Sequence, residues 1–116
     1  SIFIAGSLFA QKFELTADRT TVKQNERFQI YFTFEGGNST TIKGYKPPSF
    51  KGFKVLSGPN QSSSMSIING NVSATITYSY ILIAPSIGEY TIGSASMQFK
   101  GKEYKTGTLK IKVIKG

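Results

Sequence analysis

The chain has no cysteine, no histidine and no tryptophan, and only six acidic residues among 116. Without cysteine it forms no disulfide and offers no thiolate to a metal or to a nucleophilic mechanism. Without histidine it lacks the side chain that most often moves protons near neutral pH. The six carboxylates, Glu14, Asp18, Glu26, Glu35, Glu89 and Glu103, are scattered, and none forms a spaced acid pair in sequence. A glycosidase needs two carboxyl groups about 5–9.5 Å apart, a condition met in space rather than in sequence. No Asp/Asn cluster of EF-hand type occurs. The expectation is a protein that is no enzyme and uses neither metal nor cofactor.

Long apolar runs are missing too. Residues 55–88 carry no charge, but Ser, Asn, Thr and Gly interrupt them throughout. A membrane span needs about 20 predominantly apolar residues, so none is expected within this chain. No segment sustains a 3.6-residue period, and no capping box opens an apolar helical run. Helices are therefore not expected.

What is present is a hydrophobic content of 39% with nine Phe and six Tyr, enough for one core in one ordinary domain. Fourteen Lys and Arg residues give a net charge of +8. Such a balance suits nucleic acid or an anionic surface when it is clustered. Here the lysines are spread, and Lys110 and Lys112 alternate with Leu109, Ile111 and Val113. They read as the wet face or protected edge of a strand, and no nucleic acid is expected as partner.

The first ten residues, SIFIAGSLFA, are uncharged and apolar and end in Ala10. They resemble the apolar stretch and cleavage end of a secretory signal peptide, entered part-way because the basic start is absent. A first β-strand is the alternative for the same residues. The remainder, 11–116, is expected to be a single domain.

Its pattern is period two. Phe28, Ile30, Phe32 and Phe34 face one way, and Gln29, Thr33 and Glu35 the other, until Gly36-Gly37-Asn38 breaks the strand. Asn69-Gly70 lies between two extended runs and is a strong hairpin signal, since both turn positions need positive φ. Residues 62–68 should pair antiparallel with residues 72–83, the serine-rich first arm forming an edge. Phe53 and Val55 open a separate short strand that runs up to Gly58-Pro59. Gly93 is the expected bulge between Ile92 and Ala95. A tight turn at Gly101-Lys102 leads to one final strand from Glu103 to Ile114. Short strands with turns every 8–12 residues predict an all-β fold, an immunoglobulin-like antiparallel β-sandwich of seven to eight strands. Tyr90 after Gly88 stands where such domains place a corner tyrosine. An up-and-down barrel competes, but the Pro47-Pro48 segment is too irregular for an even meander.

Two stretches are candidate interaction sites. "GYKPPSFKGFKV" places Tyr45, Phe50 and Phe53 with Lys46, Lys51 and Lys54 around Pro47 and Pro48. Exposed aromatics beside cations suit a protein or an anionic polymer. Alternatively, Phe50 and Phe53 plug the end of the sandwich. The second candidate is the hairpin's first arm, with Ser62, Ser64, Ser66 and Ile68, whose exposed backbone would accept a partner strand. Asn38-Ser39-Thr40, Asn60-Gln61-Ser62 and Asn71-Val72-Ser73 match the N-glycosylation acceptor pattern, but Asn and Ser concentrate in turns in any case.

The order of motifs resembles the BatD family of bacterial envelope proteins, linked to the Bacteroides aerotolerance operon. "QNERFQIYFTF" is followed by F-x-G-F at 50–53, GP-x-x-S-x-S at 58–64, P-x-x-G-x-Y-x-I at 85–92 and G-K-x-Y at 101–104. The likeness spans residues 12–113. It implies an extracytoplasmic (periplasmic) β-sandwich, the first of several in a longer protein anchored by a membrane segment outside this chain. Its operon neighbours include membrane proteins with von Willebrand factor A domains and a MoxR-type ATPase, and the implied partners are other envelope proteins, with the A-domain proteins among them. The resemblance carries no catalytic residue. Together with the pattern it implies a non-catalytic scaffold module of an envelope complex tied to oxygen tolerance or stress survival. The alternative is a sandwich that binds carbohydrate or another envelope polymer, with Tyr31 and Tyr45 as stacking faces.

Overall fold

The computed structural model describes residues 12–36 and 42–116. The signal-like segment 1–10 and the Asn38-Ser39-Thr40 acceptor site lie outside the described residues. Ten strands follow one another: β1 (Lys12–Ala17), β2 (Thr21–Lys23), β3 (Phe28–Glu35), β4 (Lys43–Lys46), β5 (Lys54–Ile68), β6 (Asn71–Ile83), β7 (Gly88–Ile92), β8 (Ser96–Phe99), β9 (Lys102–Lys105) and β10 (Leu109–Ile114). Among the described residues there is no helix.

One layer has the order β1-β3-β6-β5, all antiparallel. The facing layer consists of two short ladders, β2-β10-β7 and β4-β8-β9. They are successive halves of one hairpin, since β7 leads into β8 and β9 into β10. At the break, the Ala95 N–H donates to Thr106 Oγ1 (3.1 Å) and the Thr106 N–H donates to the Ala95 carbonyl (3.0 Å). Among the described residues Thr106 is the buried polar one, and its hydroxyl stands in for the missing ladder bond. The chain thus makes eight passes through two layers in ten strands. The sandwich expectation holds, and the final strand expected from Glu103 to Ile114 divides at Thr106.

Alternation decides which side chains meet between the layers. Phe28, Ile30, Phe32 and Phe34 of β3 are buried, as are Ile76, Tyr78, Tyr80 and Leu82 of β6. Val22, Ile92, Met97, Phe99, Ile111 and Val113 close the core from the facing layer. Burying each large side chain contributes about 1.5–3 kcal/mol, so a one-residue slip of β3 would forfeit four such terms together. Phe34 shows the interlock, with ring centroids 5.0 Å from Phe99 and 5.4 Å from Tyr104.

The turns follow their chemistry. Asn69 and Gly70 have φ of 52° and 80°, the left-handed pair that a two-residue hairpin requires. Lys100 and Gly101 repeat it at 52° and 79°, one residue earlier than the expected Gly101-Lys102. Tyr90 donates its hydroxyl to the Ile87 carbonyl at 3.3 Å, the bond that defines a tyrosine corner. Two expectations are corrected. The separate strands expected around Val55 and Ser62 are one strand, β5, because bulges carry the chain past Pro59 without leaving the sheet. The irregular stretch before Pro47 contains β4, whose register shifts between Lys43 and Lys46 and so hides the alternation.

Candidate interaction site

β5 is an edge: among the described residues it pairs with β6 alone. Its two halves differ. Between Val55 and Asn60 the register against β6 shifts twice, so β5 carries two extra residues there. Pro59 has no N–H to offer, and Lys54 adds a charge. Gly58 has φ of 120°, and a Cβ on it would come within 2.7 Å of the Ser79 carbonyl oxygen. Bulges, proline and lysine are the usual means of blunting a sheet edge. From Asn60 to Ile68 the ladder is unbroken and the strand has neither charge nor proline. That half is unguarded.

The direction of its backbone groups follows from β3. The Gly36 N–H donates to the Ala74 carbonyl (2.9 Å), and the Asn25 N–H donates to the Ala84 carbonyl (2.9 Å). Even-numbered residues of β6 therefore bond toward β3. In an antiparallel ladder the two backbone groups of a residue point the same way and alternate along the strand. Ser73, Thr75 and Thr77 thus bond β5, opposite Ser66, Ser64 and Ser62. The serines that the sequence singles out use their backbone inside the sheet, and Ile68 is likewise paired with Asn71. The outward N–H and C=O groups belong to Ser63, Met65 and Ile67. The parity was legible in the turn, because the residues flanking a two-residue hairpin loop are a bonded pair.

Side chains sharpen the contrast. Met65 and Ile67 lie opposite Ala74 and Val72, on the face that elsewhere forms the core. They are nevertheless 64% and 69% exposed, more than any other large apolar side chain described. Among the described residues β3 ends at Glu35, opposite Thr75, Gly36 still bonds Ala74, and beyond that point the two arms of the hairpin pair only with each other. Ser62, Ser64 and Ser66 line the other face beside Thr77, Thr75 and Ser73. There the sheet carries hydroxyls, with Thr33 and Thr77 oxygens 3.3 Å apart.

The second candidate resolves into core and surface. The Tyr45 ring stacks on Tyr78 at 3.9 Å between centroids with planes 8° apart, and Phe50 lies 4.9 Å from Tyr80 and 6.4 Å from Phe32. Phe53 packs 5.8 Å from both Phe28 and Tyr90. Pro48 is half-buried against Gly93. The aromatic rings therefore complete the sandwich, and the surface from 46 to 54 is left to Lys46, Pro47, Ser49, Lys51, Gly52 and Lys54. Burial pushes the Tyr45 phenol well above its ordinary value, and the hydrogen bond to Tyr80 adds to this. Tyr31, on the outer face of β3, donates to Gln29 Oε1 at 2.9 Å.

The stacked pair also locates β4 over β6, which places two edge strands, β4 and β5, on one side of the sandwich. Residues 36–88, which supply both strands, contain Lys43, Lys46, Lys51 and Lys54 and no acidic residue. Of the carboxylates, Glu26 pairs with Arg19 at 2.8 Å and Asp18 accepts from the Gln29 N–H at 3.1 Å, while Glu103 of β9 lines one surface depression with Lys46 of β4. Among the described residues no three His, Cys, Asp or Glu side chains are grouped to hold a metal ion, and no helix is long and apolar enough to cross a membrane.

No curated protein matches the chain. The family model described as "BatD DUF11 like domain" matches residues 15–113, which takes in β2 to β9 whole and all the edge features above. The chain belongs to the BatD family.

Proposed function

We propose that this domain is a non-catalytic protein-interaction module that helps to scaffold a bacterial envelope complex. The observation that carries this reading is the half-guarded edge of β5. Native sheets protect exposed edges, and this one is protected from Lys54 to Pro59 and open from there to the turn. An open, uncharged edge recognises a partner by strand addition, with backbone bonds for affinity and side-chain pockets for choice. The family's link to the aerotolerance operon supports an extracytoplasmic setting, anchored through a segment outside this chain. Operon neighbours with von Willebrand factor A domains are the natural partners, and oxygen tolerance or stress survival is the process served. A carbohydrate-binding role has less support, because Tyr45 presents its ring to Tyr78.

Affinity purification of the full-length protein from solubilised envelopes tests the reading. The A-domain proteins should co-elute, and Met65→Pro, which alters an outward N–H, should deplete them. Elution of the full-length protein alone, in the wild type, would overturn it.

A further inference from the structure

The open half of β5 matches a second copy of itself. We propose that two chains pair antiparallel through residues 60–68 of β5, about a two-fold axis at Ser64. This rests on the strand-addition reading of the same edge and names the strand it takes.

The length of the open stretch sets the register. It is bounded by the bulged segment ending at Pro59 on one side and by the Asn69-Gly70 turn on the other. Its midpoint is Ser64. A two-fold axis there lays the stretch against its copy from end to end, with Asn60 beside the copy's Ile68. The copy's turn then comes level with Gly58 and Pro59, so the guarded half of β5 stays outside the pairing.

Each outward backbone group finds a match in that register. Gln61, opposite Tyr78, has the outward parity of Ser63, Met65 and Ile67. It meets the copy's Ile67, Ser63 meets the copy's Met65, and the symmetry repeats both pairs. Opposite residues share a face, so each exposed apolar side chain lies beside a polar one of the copy. The short Ser63 leaves room for the copy's Met65, and the two Met65 side chains become diagonal neighbours within reach of each other. On the other face Ser62 meets the copy's Ser66, and Ser64 meets itself.

Charge permits this pair. The chain carries +8, and like charges along a seam would oppose self-association. Residues 55–88 hold no charge, so β5 and β6 bring none to it. Lys43 and Lys46 of β4 pair with Gln98 and Ser96 on the outer face of the facing layer, and so point away from the seam. The same lack of charge gives a foreign strand of either sign no handle. Self-complementarity is the pattern that this edge does carry.

Nine residues a side fall short of the roughly 20–30 of a standard interface, so a trapping method suits the pair. The test places cysteines in the full-length protein and oxidises isolated envelopes mildly. Disulfide dimers are read on non-reducing gels against the unsubstituted protein. In the proposed register the two Ser64 residues form a non-hydrogen-bonded pair with Cα atoms about 4.5 Å apart, within disulfide range. The two Ser62 residues lie about 13 Å apart, out of range. Ser64→Cys should give at least about tenfold more dimer than Ser62→Cys or Ser66→Cys alone. Ser62→Cys and Ser66→Cys in one chain should restore the dimer. Adding Met65→Pro to Ser64→Cys, or Ser63→Pro should the first variant misfold by circular dichroism, should cut the dimer to the Ser62→Cys level.

Equal cross-linking at 62, 64 and 66 would mark random collision and overturn the proposal. So would the absence of any dimer, or a Ser64→Cys dimer undiminished in the folded proline variant. The edge reading is judged apart from these results. Loss of the A-domain proteins from Met65→Pro without a Ser64→Cys dimer would assign the edge to a foreign strand, and only the second copy would be wrong.

Discussion

The hydroxyl oxygens of Tyr45 and Tyr80 lie 2.8 Å apart, joining a strand of one layer to a strand of the other. Tyr78 covers the Tyr45 ring from the side. Burial is the main cause that raises all three phenols above their ordinary value of 10.0. The folded chain thus holds protons that the unfolded chain releases. Their contribution to stability is complete below pH 10 and declines as pH rises beyond it.

The first prediction follows from that sign. The urea midpoint should be flat between pH 7 and 9 for these groups and fall steeply from about pH 10 upward. Tyr45→Phe should cost about 1 kcal/mol at pH 8 through the lost hydrogen bond, and should lose less than wild type between pH 9 and 11. Equal alkaline losses in the two proteins would show that the cluster does not govern the decline.

Gly58 supplies the second. Its φ of 120° is strained for any other residue, and an added Cβ meets the Ser79 carbonyl oxygen and the Tyr80 Cα on β6 as well as the buried Tyr80 ring. Gly58→Ala adds that clash to the strain and should destabilise by more than about 2 kcal/mol by chemical denaturation. Gly70→Ala, where nothing lies within 4 Å of the added Cβ, should cost only the left-handed strain of about 1–2 kcal/mol.

The parity of β5 makes a third prediction. Ser64→Pro removes an N–H that faces Thr75, and should destabilise the hairpin by about 1–3 kcal/mol. Amide exchange at Thr75 and Thr77 should quicken. Met65→Pro, one residue along, should leave those amides protected. If both variants behave alike, the deduced direction of the backbone is wrong.

A fourth concerns the corner. Tyr90→Phe deletes the bond to Ile87 and should cost about 1 kcal/mol. Tyr90→Ala should cost about 3 kcal/mol or more, since the ring also packs against Phe53 and over Gly52. Thermal melts of the two variants separate the hydroxyl from the ring.

How much of this was legible varies with the distance over which each feature is decided. The inward set of β3 could be read directly, because a central strand with one buried face must alternate. The Asn69-Gly70 hairpin was equally plain, since its residue types dictate its dihedral angles. β4 was not, because a four-residue strand with one inward ring and a register shift has no period to detect. The break at Thr106 was hidden because its cause is a hydroxyl bonding across to Ala95, eleven residues away. At the site, the edge could be read from its serines and its missing charges. Whether Tyr45 and Phe50 are surface or core depended on Phe32, Tyr78 and Tyr80, which no local window contains.

The short parallel pairing of β2 with β10 carries a mechanical consequence. Thr21, Val22 and Lys23 lie beside Lys112, Val113 and Ile114, and the ladder is closed at its ends by Lys112 N–H to Thr20 O (2.8 Å) and Gln24 N–H to Ile114 O (2.9 Å). Because these strands run the same way, tension drawn through Thr20 in one direction and through Ile114 in the other slides them past each other. Their hydrogen bonds then bear the load together instead of opening one after another, as they would at a peeled hairpin. A domain tethered at those two points resists pulling as a shear clamp, and its rupture force should drop when Val22 or Val113 is cut back to Ala.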